Sequence, residues 1–197
     1  MVAPVFSGRH PRSPYPPMHA RRAVFLDRDG VLNRAMERDG RPFPPESLSD
    51  FELLPGVTEA CRHLHSLGYL LIVVTNQPDI ARGSKATADV DALNTHLRQL
   101  LPLDDVRVCP HDDGDHCICR KPRPGLLTTA ASDFNIDLTH SFMVGDRWRD
   151  VEAGAAAGCK TVWIRYPWRE REPDRADFTA VSLLDAAAQI AAVKEHL

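Results

Sequence analysis

The chain has 197 residues, 43% hydrophobic and 26% charged, which suits one ordinary globular domain rather than two. A chain of this size buries about 70% of its unfolded surface and needs no disulfide scaffold. The formal net charge of -3 argues against a nucleic-acid binder held by long-range charge. No apolar run approaches the roughly 20 residues of a membrane span. Of the five cysteines, three crowd together as Cys109, Cys117 and Cys119, a spacing that points to a metal rather than to a secreted disulfide framework.

Residues 1–22 carry Pro4, Pro11, Pro14, Pro16 and Pro17 among several arginines and lack the apolar core of a secretory signal. They are expected to be a disordered extension, with residues 23–197 forming a single domain. From there, strand-sized apolar runs alternate with helical patterns. Residues 23–26 read as a buried strand ending at Asp27, and Pro42, Pro44 and Pro45 mark a loop. A helix over 57–67 stops at Gly68, and a strand over 70–74 ends at Thr75. A second helix, with Thr87 as its N-cap, runs to 101, and a short strand covers 106–108. A helix over 124–134 carries Pro124 in its first turn. A strand over 142–144, a small-residue helix over 149–157 and a strand over 161–164 follow, and a helix over 182–195 closes the chain. This is the pattern of an α/β fold with a mostly parallel central sheet.

Asp27, Thr75 and Asp146 each fall just past the C-terminal end of a predicted strand, the edge where open parallel sheets bind ligands. Asp27-Arg28-Asp29-Gly30 sets two carboxylates where a strand opens into a loop. Such a pair can hold a hard cation such as Mg²⁺. One carboxylate can instead serve as a nucleophile and the other as general acid and base. Taken alone the motif is weak, since loops favour Asp and Gly anyway. Asp146 and Asp150 can complete an acidic metal site or simply suit a helix N-terminus. Thr75-Asn76 offers a hydroxyl and an amide to phosphate oxygens, and Lys121, if buried near carboxylates, would neutralise phosphate charge.

Together, Asp27-Arg28-Asp29-Gly30-Val31-Leu32-Asn33, Thr75-Asn76-Gln77, Lys121-Pro122 and Gly145-Asp146 with Asp150 resemble the four ordered motifs of the haloacid dehalogenase superfamily. The resemblance spans about residues 23–165 and implies a Rossmann-like three-layer sandwich. It implies Asp27 as nucleophile and Asp29 as acid/base, with Thr75 and Lys121 steadying the transferring phosphoryl group. Mg²⁺ would be held by Asp27, the Asp29 backbone carbonyl and Asp146. The stretches between motifs leave no room for a large cap domain, so the chain resembles the capless branch.

Cys109-Pro110-His111, then Cys117-Ile118-Cys119, supplies three thiolates and one imidazole, a common closed tetrahedral zinc set. Four ligands leave no open position, so the expected Zn²⁺ is structural and orders the loop that delivers Arg120 and Lys121. His116, next to Cys117, is the competing imidazole, and Cys61 and Cys159 read as small hydrophobes. The run from Cys109 to Gly125 is similar to the zinc loop of the D-glycero-D-manno-heptose-1,7-bisphosphate 7-phosphatases, a loop that histidinol-phosphatase domains share. That resemblance implies substrate contacts from Arg120, Arg147 and the segment from Thr75 to Pro78, hence Asn76 and Gln77, with Arg28 a further rim candidate. The family's usual Ser-Gly after the Asn-Gln pair is Pro78-Asp79 here, and the loop after Asn33 departs from the family pattern as Arg34-Ala35-Met36-Glu37-Arg38.

The abundance of arginine near these motifs favours an anionic second group on the substrate, since guanidinium is the better phosphate fork. The expected activity is that of a Mg²⁺-dependent phosphomonoesterase, a hydrolase of carbohydrate metabolism that removes the 7-phosphate of a heptose bisphosphate through an aspartyl phosphate. Histidinol phosphate or another small sugar phosphate is the alternative substrate. The non-enzymatic alternatives are a phospho-Asp receiver and a zinc-stabilised interaction module. The partner expected is a small phosphorylated metabolite, with no nucleic acid and no membrane, for a monomer in the cytoplasm.

Overall fold

The computed structural model describes residues 20–194. The extension expected over residues 1–22 therefore lies almost wholly outside the described residues, and its last part is structured. Arg21 bridges to Ile136, and the Arg22 carbonyl accepts from the Leu70 amide at 2.9 Å.

Six strands form one parallel sheet: β1 (Ala23–Leu26), β4 (Leu70–Asn76), β5 (Asp105–Cys109), β6 (Phe142–Gly145), β7 (Lys160–Ile164) and β8 (Phe178–Ala180). Their order across the sheet is β5-β4-β1-β6-β7-β8. The chain thus builds outward from β1 on one side and then on the other, which makes the C-terminal end of β1 the switch point where ligands bind in such sheets. Leu26 registers with Val73 of β4 and with Val144 of β6, so the residues that follow the three strands emerge side by side.

The strands are apolar throughout because both faces are covered. Val24, Leu26, Leu71, Val73 and Val144 face α1 (Val57–Ser66), α2 (Thr87–Leu100) and α5 (Leu183–Lys194). Ala23, Phe25, Ile72, Val74 and Met143 face α3 (Gly125–Phe134) and α4 (Trp148–Ala157). This is the expected three-layer sandwich without a large cap.

Four details differ from the sequence reading. Thr87 is the first helical residue of α2 and Ala86 its N-cap, so the expected Thr87 cap is absent. Pro124 stands at the N-cap of α3 rather than inside its first turn. The proline-marked loop contains a short antiparallel hairpin, β2 (Met36–Arg38) and β3 (Arg41–Phe43), turned by Asp39 and Gly40 with φ of 53° and 75°. Both turn residues are left-handed, which is what a tight hairpin asks of an Asp-Gly pair. Finally, β8 adds three residues at the sheet edge that periodicity cannot reveal.

Candidate active site and metal centre

Asp27 follows β1 and opens a turn that closes on itself, the Gly30 amide donating to the Asn33 carbonyl at 2.8 Å. Gly30 has φ +92°, and a Cβ there would lie 2.2 Å from Asp146 Oδ2. No other residue both adopts this turn and lets Asp146 approach. Thr75 and Asn76 are the last residues of β4, Lys121 follows the cysteine loop, and Asp146 and Asp150 flank the start of α4.

Lys121 is the buried hub. Its Nζ donates to Asp27 Oδ1 at 2.8 Å and to the Val74 carbonyl at 2.7 Å, and pairs with Asp150 Oδ1 at 2.6 Å. Burial alone would lower the lysine's pKa, but the two carboxylates outweigh it and hold the ammonium above its usual range. Asn76 clamps the Lys121 backbone from both ends of its amide, at 3.1 Å each way. The sequence offers Asp150 as either metal ligand or helix cap. It accepts from the Arg147 amide at 3.0 Å and serves as the lysine's partner, while its carboxylate stays in the acidic group.

Asp27, Asp146 and Asp150 bring one carboxylate oxygen each to within 4.8 Å of one another. One ammonium cannot balance three buried carboxylates. Burial, with Lys121 opposing, leaves Asp27 pushed up to about 6, and burial with Asp27 and Asp150 as neighbours pushes Asp146 well above the carboxylate range. Asp146 Oδ2 accepts from the Trp168 indole at 2.7 Å, whereas its buried Oδ1 has no partner. An orphaned carboxylate oxygen in an over-charged oxygen cluster fits a hard divalent cation.

Asp29 is held differently. Its carboxylate accepts from Arg28 Nε and Nη2 at 3.2 and 3.0 Å, from Asn33 at 3.0 Å and from Gln77 at 2.8 Å. Burial raises its pKa, but Arg28 and these amides outweigh it and hold it below the ordinary value. Gln77 also donates to Thr75 Oγ1 at 2.9 Å, which leaves the threonine hydrogen to donate elsewhere.

The contrast between the two carboxylates has a measurable consequence. Asp27 titrates near 6 in the cation-free fold against an ordinary 3.8, so the native state binds the extra proton between those values and loses stability as pH rises through them. In metal-free buffer, Asp27→Asn is therefore expected to gain about 1.3 kcal/mol on the wild type between pH 5 and pH 7, the rest of the roughly 3 kcal/mol effect falling below pH 5. Thermal melts at the two pH values check it, and an equal difference at both would overturn it.

Above this cluster lies a cleft of about 440 Å³. Of the expected site residues, Asp27, Asp29, Thr75, Asn76, Pro78, Arg120, Lys121 and Arg147 line it. Two expected substrate contacts do not. Arg28 is fully buried, its guanidinium committed to Asp29 and, at 2.9 Å, to Asn94 of α2. Gln77 is likewise buried on Asp29 and Thr75. Both act behind the wall, as positioning groups for the carboxylate and hydroxyl in front. The segment from Arg34 to Arg38 does not line the cleft either; Arg34 pairs with Glu52 on the surface, and the next stretch, Arg41 to Pro44, supplies that wall. Sequence reasoning missed this wall and the one formed by Arg169, Glu170 and Arg171 beyond β7. The two walls are tied by the Arg169 amide, which donates to the Gly40 carbonyl at 2.7 Å. Trp148 lines the cleft with the Arg171 guanidinium 3.7 Å from its ring centroid.

The cysteine loop closes as expected. His111 Nδ1 lies 3.6 Å from Cys109 Sγ and 3.3 Å from Cys119 Sγ, and Cys117 Sγ lies 3.7 and 3.5 Å from those sulfurs. Ligands about 2.3 Å from one tetrahedral ion stand roughly 3.8 Å apart, so the set is close to the spacing zinc needs. His116, in a left-handed turn, is not among the four. Cys61 and Cys159 are buried elsewhere, where desolvation pushes their thiols up to about 12. Arg120 belongs to this loop: it donates to Asp113 at 2.9 Å and to the His111 carbonyl at 3.1 Å.

A parallel sheet with aspartates, threonine and lysine at its switch point defines a haloacid-dehalogenase-like phosphatase fold. The family model described as HAD-hydrolase-like matches residues 118–186. A D-glycero-beta-D-manno-heptose-1,7-bisphosphate 7-phosphatase of Salmonella typhi is 37% identical over 183 residues, covering 85% of this chain and 94% of that one. A D-glycero-alpha-D-manno-heptose-1,7-bisphosphate 7-phosphatase of Campylobacter jejuni is 36% identical over 146 residues, covering 72% and 80%. The crystal structure of the D,D-heptose 1.7-bisphosphate phosphatase from B. bronchiseptica, complexed with magnesium and phosphate, superposes with a TM-score of 0.75 at 30% identity, covering 87% of this chain and 99% of that one. The chain belongs to the heptose-1,7-bisphosphate 7-phosphatase family, a family of phosphoric monoester hydrolases. Among the described residues, no helix is long and apolar enough to cross a membrane.

Proposed function

We propose that this chain removes the 7-phosphate of a D-glycero-D-manno-heptose 1,7-bisphosphate, with Asp27 as nucleophile. The observation that carries the reading is the charge of the cleft. Beyond Asp27, Asp29, Asp150 and Lys121, its walls hold Arg41, Arg82, Arg120, Arg147, Arg149, Arg169 and Arg171 against Asp79, Asp113 and Glu170. Such a wall suits a second phosphate and repels the amine of histidinol phosphate.

Asp27 carboxylate attacks phosphorus as the bond to the sugar oxygen breaks, and Asp29 supplies the proton to that oxygen from its protonated form, which Arg28 and the amides disfavour and which must therefore be reached before the step. Asp29, again a carboxylate, then takes a proton from water, whose oxygen attacks the aspartyl phosphate and frees phosphate and Asp27. Lys121 and the Thr75 hydroxyl stabilise the phosphoryl oxygens in both steps. Asp27, Asp146 and the Asp29 backbone carbonyl would hold Mg²⁺, which supplies Lewis-acid stabilisation of the charge on phosphorus. Cys109, His111, Cys117 and Cys119 would hold Zn²⁺ as a purely structural ion. We read residues 23–197 as one catalytic domain. We take it to act as a monomer. We place it in the cytoplasm, supported by thiol ligands that need a reducing compartment.

The test is phosphate release with Mg²⁺ from the α and β heptose 1,7-bisphosphates and histidinol phosphate in parallel. The expected result is a preference of at least about a hundredfold in kcat/KM for a heptose bisphosphate, about 2.7 kcal/mol of transition-state binding. Relatives named for either anomer lie at similar identity, so both anomers belong in the panel. Equal, weak activity on all three would overturn the substrate and keep the chemistry.

A further inference from the structure

We infer that Trp168 is a positioning residue for the cation site, its indole N–H fixing the Asp146 carboxylate so that the oxygen without a partner is the one presented to a divalent ion. The inference rests on the reading of Asp27 and Asp146 as cation ligands. Trp168 lies in the segment beyond β7, away from every family motif in the sequence. Its Nε1 donates to Asp146 Oδ2 at 2.7 Å, while Oδ1 of the same buried carboxylate is orphaned. A buried carboxylate with one oxygen saturated and one empty is oriented, not merely housed. Gly30 confines the same Oδ2 from the other side, since a Cβ there would stand 2.2 Å away. The Asp146 backbone is fixed separately, its carbonyl accepting from Trp163 Nε1 at 3.1 Å. The indole itself is held by stacking on Tyr166, with ring centroids 5.0 Å apart and planes inclined by 10°. Trp168 lines a second, smaller cavity of about 140 Å³ behind Asp146 and does not line the substrate cleft. Its effect should therefore fall on the cation and not on the sugar.

Trp168→Phe keeps the ring and removes the donor. Titration of the full chain with Mn²⁺, read by electron paramagnetic resonance in the absence of substrate, is expected to show about 10–100-fold weaker binding in this variant, the usual cost of losing an outer partner of a metal ligand. At saturating Mg²⁺ the variant's kcat and substrate KM should return to within about threefold of wild type. A side chain that only packs would lower the melting temperature and leave the Mn²⁺ affinity alone; unchanged affinity overturns the inference. No Mn²⁺ binding by the wild type would overturn the cation reading, and this inference with it. Should Trp168→Phe fail to fold, the indole N–H signals of the ¹⁵N-labelled wild type decide. The Trp168 signal is expected to shift on adding Mg²⁺ while that of Trp148 stays put, and an unmoved Trp168 signal counts against the assignment.

Discussion

Asp27→Asn is expected to lower kcat for phosphate release by at least about 10⁴-fold, the scale on which enzymes suffer when the nucleophile of a covalent mechanism is removed. The amide keeps the size of the carboxyl but cannot form the aspartyl phosphate. The fold should survive, because Lys121 retains Asp150 at 2.6 Å and the Val74 carbonyl at 2.7 Å when Asp27 no longer carries charge. A conventional deletion of one partner from a buried ion pair costs about 3–5 kcal/mol. Here the cluster has more carboxylates than cations, so removing one charge relieves repulsion. Steady-state phosphate release alongside a thermal melt checks both halves. Residual activity within about a hundredfold of wild type would remove Asp27 from the nucleophile's role. An unfolded variant would show instead that the Asp27–Lys121 pair is structural.

What was legible in the sequence is what repeats or sits at a strand end. Asp27, Thr75 and Asp146 could be placed because each follows a buried apolar run, and the register of Leu26 with Val73 and Val144 then brings them together. The cysteine loop could be read because three cysteines and one histidine within eleven residues match the donor set and spacing of a zinc site, although Cys109 also packs into the core. What stayed hidden depended on long-range partners. Arg28 looks like a rim cation until Asn94, 66 residues away, and Asp29 are seen to absorb its guanidinium. Gln77 looks like a substrate amide until both Asp29 and Thr75 claim its Nε2. Trp168 and Arg169 stand in a segment without periodicity, and nothing local ties them to Asp146 or to Gly40. The Asp39-Gly40 hairpin did carry a local signal, obscured by Pro42, which β3 accommodates because its ribbon has only two strands.

Cys119→Ser is expected to abolish the zinc content of the purified chain and to lower its melting temperature by about 10 °C or more. Metal binding to such sites is worth on the order of 10 kcal/mol, and a loss of a few kcal/mol already moves the melt that far in a chain of this size. Ile118→Ser is the matched control, since Ile118 sits between Cys117 and Cys119 yet is 74% exposed. Wild-type zinc content in Cys119→Ser would refute the ligand assignment. The kinetic consequence follows from which groups the loop holds by itself. Lys121 is secured from outside, by Asn76, Asp27 and Asp150, and these contacts do not need the metal. Arg120 is secured from within, by Asp113 and by the His111 carbonyl. Loss of zinc should therefore free Arg120 while Lys121 keeps its place on the nucleophile. The expected signature is a KM for the bisphosphate that rises by about tenfold or more, with a kcat that falls by less. A collapse of kcat at unchanged KM would mean that the metal holds the lysine, and that the loop serves the chemistry directly rather than the grip on the substrate.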